Sequence, residues 1–402
     1  PASFVAFFLK HTIINYSIVC QRMAMPEREN IKIVSIGWKI MKKKPEFHGS
    51  DLEKIADYYH LNKENIVLFG ANVNPLGLSE RVKRDLADHL DIISSYPDRD
   101  YTDLKKAISA YTDTAPEHIV VGNGSTELIS LLISQRAPKK ALLLGPTYSE
   151  YARELNLVGG TLEYYNLKEE QDFKLDISAL TDALKSDIDL LIICNPNNPT
   201  SSAISTTNMK ELLAVCRSLG IFVMIDETYI EFAPEGAALS AVPLVPEFDN
   251  FMVIRGVSKF FAAPGLRFGY GLTSNQEFLQ TLLTHQNPWS LNSVGAYAGE
   301  RMLKDTDYIR KTWSLIDSER TRMCQELSKL DTVKIYPAYA NFVLVRILKE
   351  GLTSFDVFEK AIYQNLMIRD CSSFESLKGE YVRFCIMNPE DNDRLLDVFR
   401  SL

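Results

Sequence analysis

The sequence predicts an α/β protein: a large unit with a mostly parallel sheet of the seven-stranded type, followed by a smaller α+β unit. Three observations lead there. Continuous apolar runs at residues 141–144, 190–194 and 221–225 alternate with helical stretches, as in parallel strands covered on both faces. Polar clusters follow several of these runs, which brings them to one sheet edge, where doubly wound sheets bind ligands. From about Ser290 the pattern changes to long helices followed by short strands, the mark of a second unit.

Composition narrows the class. A chain of 402 residues is long enough for two domains and a sizeable core. Its hydrophobic share of 46% and charged share of 24% are ordinary for a soluble protein. The formal charge of −8 argues against a nucleic-acid or acidic-membrane surface. Six cysteines without a CxxC pair read as reduced thiols in a cytoplasmic protein. The histidines show no metal-ligand spacing, so no metal is expected. Apolar runs at 4–9 and 12–20 are interrupted by Lys10 and His11, short of the roughly 20 residues a membrane span needs. Neither a basic leader nor a small-residue cleavage site marks a signal peptide. The run after Met41 reads as a natural beginning, so residues 1–45 are expected to be a non-native or disordered extension, with membrane tethering as the alternative.

In chain order, residues 46–75 are expected to form an arm, 76–290 the large domain and 291–402 the small one. Residues 51–59 place Leu52, Ile55, Ala56 and Tyr59 on one helical face. Residues 66–69 look like a short strand, and Asn72 and Asn74 in the Gly-Pro-rich loop behind it read first as turn residues. His48, alone, reads as a surface histidine. Helices are expected at 79–90 and 102–111, then a strand at 117–121. Residues Gly122 to Glu127 come next, ahead of the helical run 128–133. Strand, glycine loop and helix N-terminus can bind a phosphate through free backbone N–H groups, here at Gly124, Ser125 and Thr126; a plain capped helix has the same pattern. The loop is neither GxGxxG nor a P-loop. A strand at 160–165 and a helix at 208–219 follow. Asp226 and Tyr229 sit at the carboxyl end of run 221–225. In the second unit, helices at 292–303, 307–330 and 354–364 surround short strands at 333–336, 342–346, 367–370 and 381–385. The last two carry Arg369 and Arg383. A guanidinium buried in an apolar strand needs an anion.

Residues 253–269 hold the decisive feature. Lys259 lies among apolar side chains, with Arg267 eight positions later behind a Pro-Gly turn. Burial disfavours the ammonium and lowers its pKa, which suits a lysine nucleophile that captures a carbonyl compound as a Schiff base. A snorkelling surface lysine is the plain alternative.

The pattern Ser-Lys, eight residues, Arg-x-Gly resembles the lysine segment of the fold-type I pyridoxal-phosphate enzymes, the aminotransferases and their relatives, over residues 46–402. The resemblance implies pyridoxal 5′-phosphate as cofactor. Lys259 would be its covalent anchor and Asp226 the carboxylate at the pyridine nitrogen. Asn198 and Tyr229 would bind the ring hydroxyl, and Tyr148 would stack on the ring. Gly124, Ser125, Thr126, Ser258 and Arg267 would anchor the phosphate. Within the class the chain is similar to the histidinol-phosphate aminotransferases. That likeness implies a homodimer with shared sites, in which Tyr96 reaches the cofactor phosphate of the neighbouring subunit. It is similar also to the threonine-phosphate decarboxylases of cobalamin biosynthesis, through His48-Gly, residues 71–77, Tyr96-Pro-Asp, Asn123-Gly, Pro288-Trp-Ser-x-Asn292 and the Arg369/Arg383 pair. There His48, Asn72, Asn198, Arg369 and Arg383 would hold a phosphorylated substrate. One departure stands out: many relatives carry a hydroxyl residue three positions before the lysine, where this chain has Gly256.

Decarboxylation and amino-group transfer differ only in which Cα bond is held perpendicular to the cofactor ring, and no motif encodes that directly. The likeness favours decarboxylation of L-threonine O-3-phosphate, with a histidinol-phosphate type of aminotransferase as the alternative. A cofactor-binding regulator without turnover is disfavoured, because residues 1–45 lack a helix-turn-helix or basic stripe.

Overall fold

The computed structural model describes Phe47, Gly49 and residues 51–402 except Glu235. His48 and the expected extension over 1–45 lie outside the described residues.

The main sheet contains β1 (Ile119–Asn123), β2 (Lys140–Gly145), β3 (Thr161–Asn166), β4 (Leu190–Cys194), β5 (Phe222–Asp226), β6 (Phe251–Gly256) and β7 (Phe268–Leu272). Their order is β1-β7-β6-β5-β4-β2-β3, and β7 runs antiparallel to both neighbours while the remaining pairs are parallel. The expected mostly parallel sheet is therefore present.

Strand composition explains the covering. Leu190 and Ile192 of β4 point into one apolar cluster, Leu191 and Ile193 into another, so a strand that is apolar at every position has a core on each face. Leu128, Leu132 and Ile133 from the helix Gly124–Arg136 fill the first cluster with Phe278 and Leu282 from Gln276–His285. Met209, Leu212 and Leu213 from Thr206–Leu219 fill the second. Each such buried aliphatic side chain contributes about 1.5–3 kcal/mol.

A second sheet, antiparallel throughout, has the order β10-β11-β9-β8: β8 (Val333–Ile335), β9 (Phe342–Ile347), β10 (Arg369–Asp370) and β11 (Tyr381–Cys385). It packs with helices Thr306–Leu327, Ser354–Ile362 and Pro389–Arg400, the last of which was not expected. Arg369 and Arg383 stand directly opposite each other in the β10–β11 register.

Three local expectations change. Residues 66–69 form no strand of either sheet; Val67 makes one isolated bridge to Leu366, and the Phe69 carbonyl accepts the Cys385 N–H. β6 and β7 lie in the lysine segment, where glycines at 256, 269 and 271 hide the strand pattern. Gly269 has a packing reason: a Cβ there would collide with the backbone of Gly124 and Ser125, so β7 can lie against that helix N-terminus only without one. Finally, the helices expected at 307–330 and 354–364 end earlier, at Leu327 and Ile362.

Candidate active site

The carboxyl ends of β2, β4, β5 and β6, the end of β1 and the β10–β11 pair enclose a cavity of about 780 Å³. It is lined by Asn72, Gly124, Ser125, Thr126, Tyr148, Asn198, Asp226, Tyr229, Ser258, Lys259, Arg267, Arg369 and Arg383. These are thirteen of the expected site residues, drawn together from more than three hundred positions of sequence. Tyr96 is not among them. It lies 81% exposed in a separate hollow, its ring 4.9 Å from that of Trp289. His48 lies outside the described residues.

Lys259 follows the end of β6, and its Nζ donates to the Ala71 carbonyl at 2.7 Å. Burial first, then the positive charges of Arg383 and Arg267, pull its pKa down to about 8. The amine is thus available as a nucleophile near neutral pH.

Asp226 ends β5 and is buried. Its Oδ1 accepts from the Thr228 N–H at 2.9 Å and the Thr228 hydroxyl at 2.5 Å, and its Oδ2 accepts from the Tyr151 hydroxyl at 2.6 Å. Burial raises its pKa, while these donors oppose the rise. None of its hydrogen-bond partners is a cation, so a protonated ring nitrogen from a ligand would complete it.

Tyr229 is buried, its hydroxyl accepting from Asn72 Nδ2 at 3.3 Å and its ring edge-on to Phe342 at 4.9 Å. Burial pushes the Tyr148 hydroxyl up to about 12, helped by Glu150 and Asp226, and its ring meets Tyr151 edge-on at 5.6 Å.

The helix Gly124–Arg136 brings its N-terminus to the cavity, and the Arg267 guanidinium lies beside it. A Cβ on Gly124 (φ 81°) would lie 2.5 Å from Arg267 Nη2. Free N–H groups, hydroxyls at 125 and 126 and a guanidinium around a site without a side chain form a cradle for a phosphate. Arg267 itself sits at φ 54° and Asn72 at φ 56°, left-handed conformations that Asn tolerates and Arg adopts only under constraint. A Cβ at Gly256 would be 3.4 Å from Ser125 Cβ and Oγ, so the Ser125 hydroxyl stands beside that position. These features fit pyridoxal phosphate.

Arg383 is buried; it donates to Asn198 Oδ1 and, at 2.9 Å, to the Gly70 carbonyl. Its Nε is buried without a partner among the described residues, as is Asn72 Oδ1. Arg369 lies farther out, donating to the Phe47 carbonyl and, at 2.7 Å, to Ser373 Oγ.

Comparison with known proteins agrees with this geometry. The family described as aminotransferase class I and II matches residues 64–399. The chain belongs to the class I and II aminotransferase family. It is a pyridoxal-phosphate-dependent enzyme of fold type I. It is 33% identical to the threonine-phosphate decarboxylase of Salmonella typhimurium over 355 residues, covering 88% of this chain and 96% of that one. It is 29% identical to the histidinol-phosphate aminotransferase of Methanococcus aeolicus, covering 88% and 94%. The crystal structure of the histidinol-phosphate aminotransferase from Clostridium acetobutylicum superposes with a TM-score of 0.76 at 31% identity, over 82% of this chain and 97% of that one.

Sequence reasoning missed several cavity-facing or supporting groups. Tyr151 and Thr228, which hold Asp226, were within reach: Tyr151 follows Tyr148 by one helical turn and Thr228 is two residues from the carboxylate. The Ala71 carbonyl on Lys259 and the Asn341 amide on Asn72 had no signal, because each joins chain segments far apart in sequence, and Ser373, four residues after Arg369, had none because the turn between them carries no helical or strand period. Among the described residues no helix is long and apolar enough to cross a membrane.

Proposed function

We propose that the protein decarboxylates L-threonine O-3-phosphate to (R)-1-aminopropan-2-yl phosphate, a step serving cobalamin biosynthesis. Two arginines from opposed positions of one strand pair, in the same cavity as a lysine of lowered pKa, carry this proposal. Together they suit a small amino acid with two anionic ends. Arg383, deep and beside Asn198, would take the carboxylate, and its buried free Nε is a donor awaiting an acceptor. Arg369, nearer the mouth, would take the phosphate with His48 and Asn72.

Pyridoxal phosphate, when bound, supplies the electron sink for the bond broken at the substrate Cα. Lys259 would be its covalent anchor, Asp226 would keep a proton on its ring nitrogen, and Asn198 and Tyr229 would bind its hydroxyl. Tyr148 would cover the ring. Gly124, Ser125, Thr126, Ser258 and Arg267 would hold its phosphate, with Tyr96 supplied by a second subunit of a homodimer. Loss of CO2 leaves an electron pair on Cα, and Lys259 Nζ is the group to return a proton there. The same proposal assigns the seven-stranded sheet to a large domain over 76–290 and the four-stranded sheet to a small one over 291–402, with 46–75 as an arm.

The alternative, aminotransfer on histidinol phosphate, draws support from the relatives bearing that name. One assay separates them. With pyridoxal phosphate and no keto acid, L-threonine O-3-phosphate should release CO2 and aminopropanol phosphate over many turnovers. Turnover only with histidinol phosphate and 2-oxoglutarate would replace the decarboxylase with the aminotransferase.

A further inference from the structure

Asn74 has no role in the site as built so far, yet its hydrogen bonds end on the lysine segment. Its backbone N–H donates to the Lys259 carbonyl at 3.1 Å. Its side-chain Nδ2 donates to the next carbonyl, that of Phe260, at 2.7 Å. Three residues earlier in the same loop, the Ala71 carbonyl accepts from Lys259 Nζ. One short loop therefore holds the lysine at both ends, by its main chain and by its amine.

We infer that Asn74 is a positioning residue for Lys259, fixing where the amine stands relative to the cofactor. The inference rests on the assignment of Lys259 as the covalent anchor of pyridoxal phosphate. β6 ends at Gly256, so carbonyls 259 and 260 fall beyond the sheet ladder and need donors from elsewhere. Asn74 supplies one to each, its N–H sharing the Lys259 carbonyl with the Ala262 N–H at 3.2 Å.

The chemistry of an amide is needed there. Nδ2 has two protons: one serves Phe260, and the other meets Thr312 Oγ1 at 2.8 Å and the Tyr308 oxygen at 3.0 Å. Tyr308 is free to accept because it gives its own proton to the Gly77 carbonyl at 2.7 Å. Oδ1 accepts the Leu76 N–H at 3.0 Å. Asn74 is 2% exposed and Thr312 0%, so these bonds do not compete with water. An alanine would leave the Phe260 carbonyl only the longer contact of the Tyr308 hydroxyl at 3.3 Å, whose single proton already serves the Gly77 carbonyl at 2.7 Å. An aspartate would face that carbonyl with an acceptor.

The test uses the PLP-free full-length protein and follows, by absorbance, capture of Lys259 by added pyridoxal phosphate between pH 7 and 9. Borohydride trapping and mass mapping confirm the residue captured. Asn74→Ala should slow capture about tenfold, because small displacements of a nucleophile have large rate effects. In substrate turnover kcat should fall in step, with KM within about twofold of wild type. If Asn74→Ala does not fold, the double variant Tyr308→Phe/Thr312→Val decides. It keeps Asn74 but removes its support, and should slow capture at least about threefold. Thr312→Ser, which keeps the acceptor, should behave as wild type. A lowered Tm with wild-type capture rate in either decisive variant would overturn the inference and leave Asn74 a turn residue. If wild-type Lys259 is not captured at all, its assignment as the anchor fails, and the inference with it.

Discussion

At the scale of the residue, Lys259 illustrates how a site is assembled against stability. Its pKa falls to about 8 in the fold from 10.5 in the unfolded chain, chiefly through burial. Below pH 8 the lysine is charged in both states and the folded state bears the full penalty. Between about 8 and 10.5 the unfolded chain still holds a proton that the folded chain has released, so folding stability rises with pH across that window. The PLP-free protein should therefore gain stability from pH 7.5 to 9.5 in urea titrations, and Lys259→Met should lack that gain. At pH 7 Lys259→Met should be the more stable protein by about 1–2 kcal/mol while losing all turnover. A wild-type curve parallel to the variant's would show that the amine is not strained by its surroundings. The lysine was legible because a charge among apolar residues stands out in a string of letters. Tyr151 and Thr228 were within reach only through their spacing to Tyr148 and Asp226, and the role of Asn74 was not, because an asparagine is unremarkable until its partners are known. Gly256 gains meaning only from the structure, where Ser125 stands beside it.

At the scale of the element, the seam between the two sheets makes the clearest prediction. The short turn after β3 carries Glu169, which accepts from Tyr336 at 2.6 Å, Lys334 at 3.3 Å and Arg346, all from β8, β9 and the loop between them. Burial pushes the carboxyl pKa up, but these three donors outweigh it and bring it to about 2. A depressed carboxylate contributes stability above its unfolded value of 4.5, lost as pH falls toward 2. Lys334 and Arg346 are more than a third exposed, so the contribution is modest. Glu169→Gln should lower stability by about 1 kcal/mol at pH 7, less at high salt, and should not differ from wild type near pH 2. An unchanged urea midpoint at pH 7 would show the contacts to be ornamental. Inside the main sheet the magnitudes are larger: Ile192→Ala in β4, 1% exposed, should cost about 3 kcal/mol in the same titration. β4 and β5 were readable because an uninterrupted apolar run of strand length has few other fates. β7 was not, since two of its five residues, Gly269 and Gly271, are glycine, and only the close approach of the helix at Gly124 explains the first of them. The antiparallel direction of β7 likewise follows from a return through Lys259 without a crossover α-helix, which no periodicity records.

At the scale of the whole molecule, the question is why Tyr96 stands outside the cavity. Leu90, Ile93, Tyr96 and Trp289 are 53%, 67%, 81% and 40% exposed, and the last three share one hollow. Large apolar side chains grouped on a surface mark an interaction site. The proposal above gives the cofactor phosphate a further ligand, Tyr96, and the structure has Tyr96 exposed in a separate hollow. The proposed homodimer, in which each subunit completes the other's site, would reconcile the two. Such a dimer predicts subunit complementation. Tyr96→Ala should weaken cofactor affinity, and Lys259→Ala should abolish turnover. Mixed and reassociated, the two variants form hybrids in which one site combines an intact Lys259 with the partner's intact Tyr96. Activity at limiting pyridoxal phosphate should then rise above that of either parent, toward one quarter of wild type for random pairing. If Tyr96 acts within its own chain, every site with Lys259 lacks Tyr96 and mixing restores nothing. Ile93→Asp, placed in the same patch, should shift sedimentation toward the monomer and weaken cofactor binding together. A dimer that persists in Ile93→Asp and Trp289→Asp alike would place the contact elsewhere on the surface.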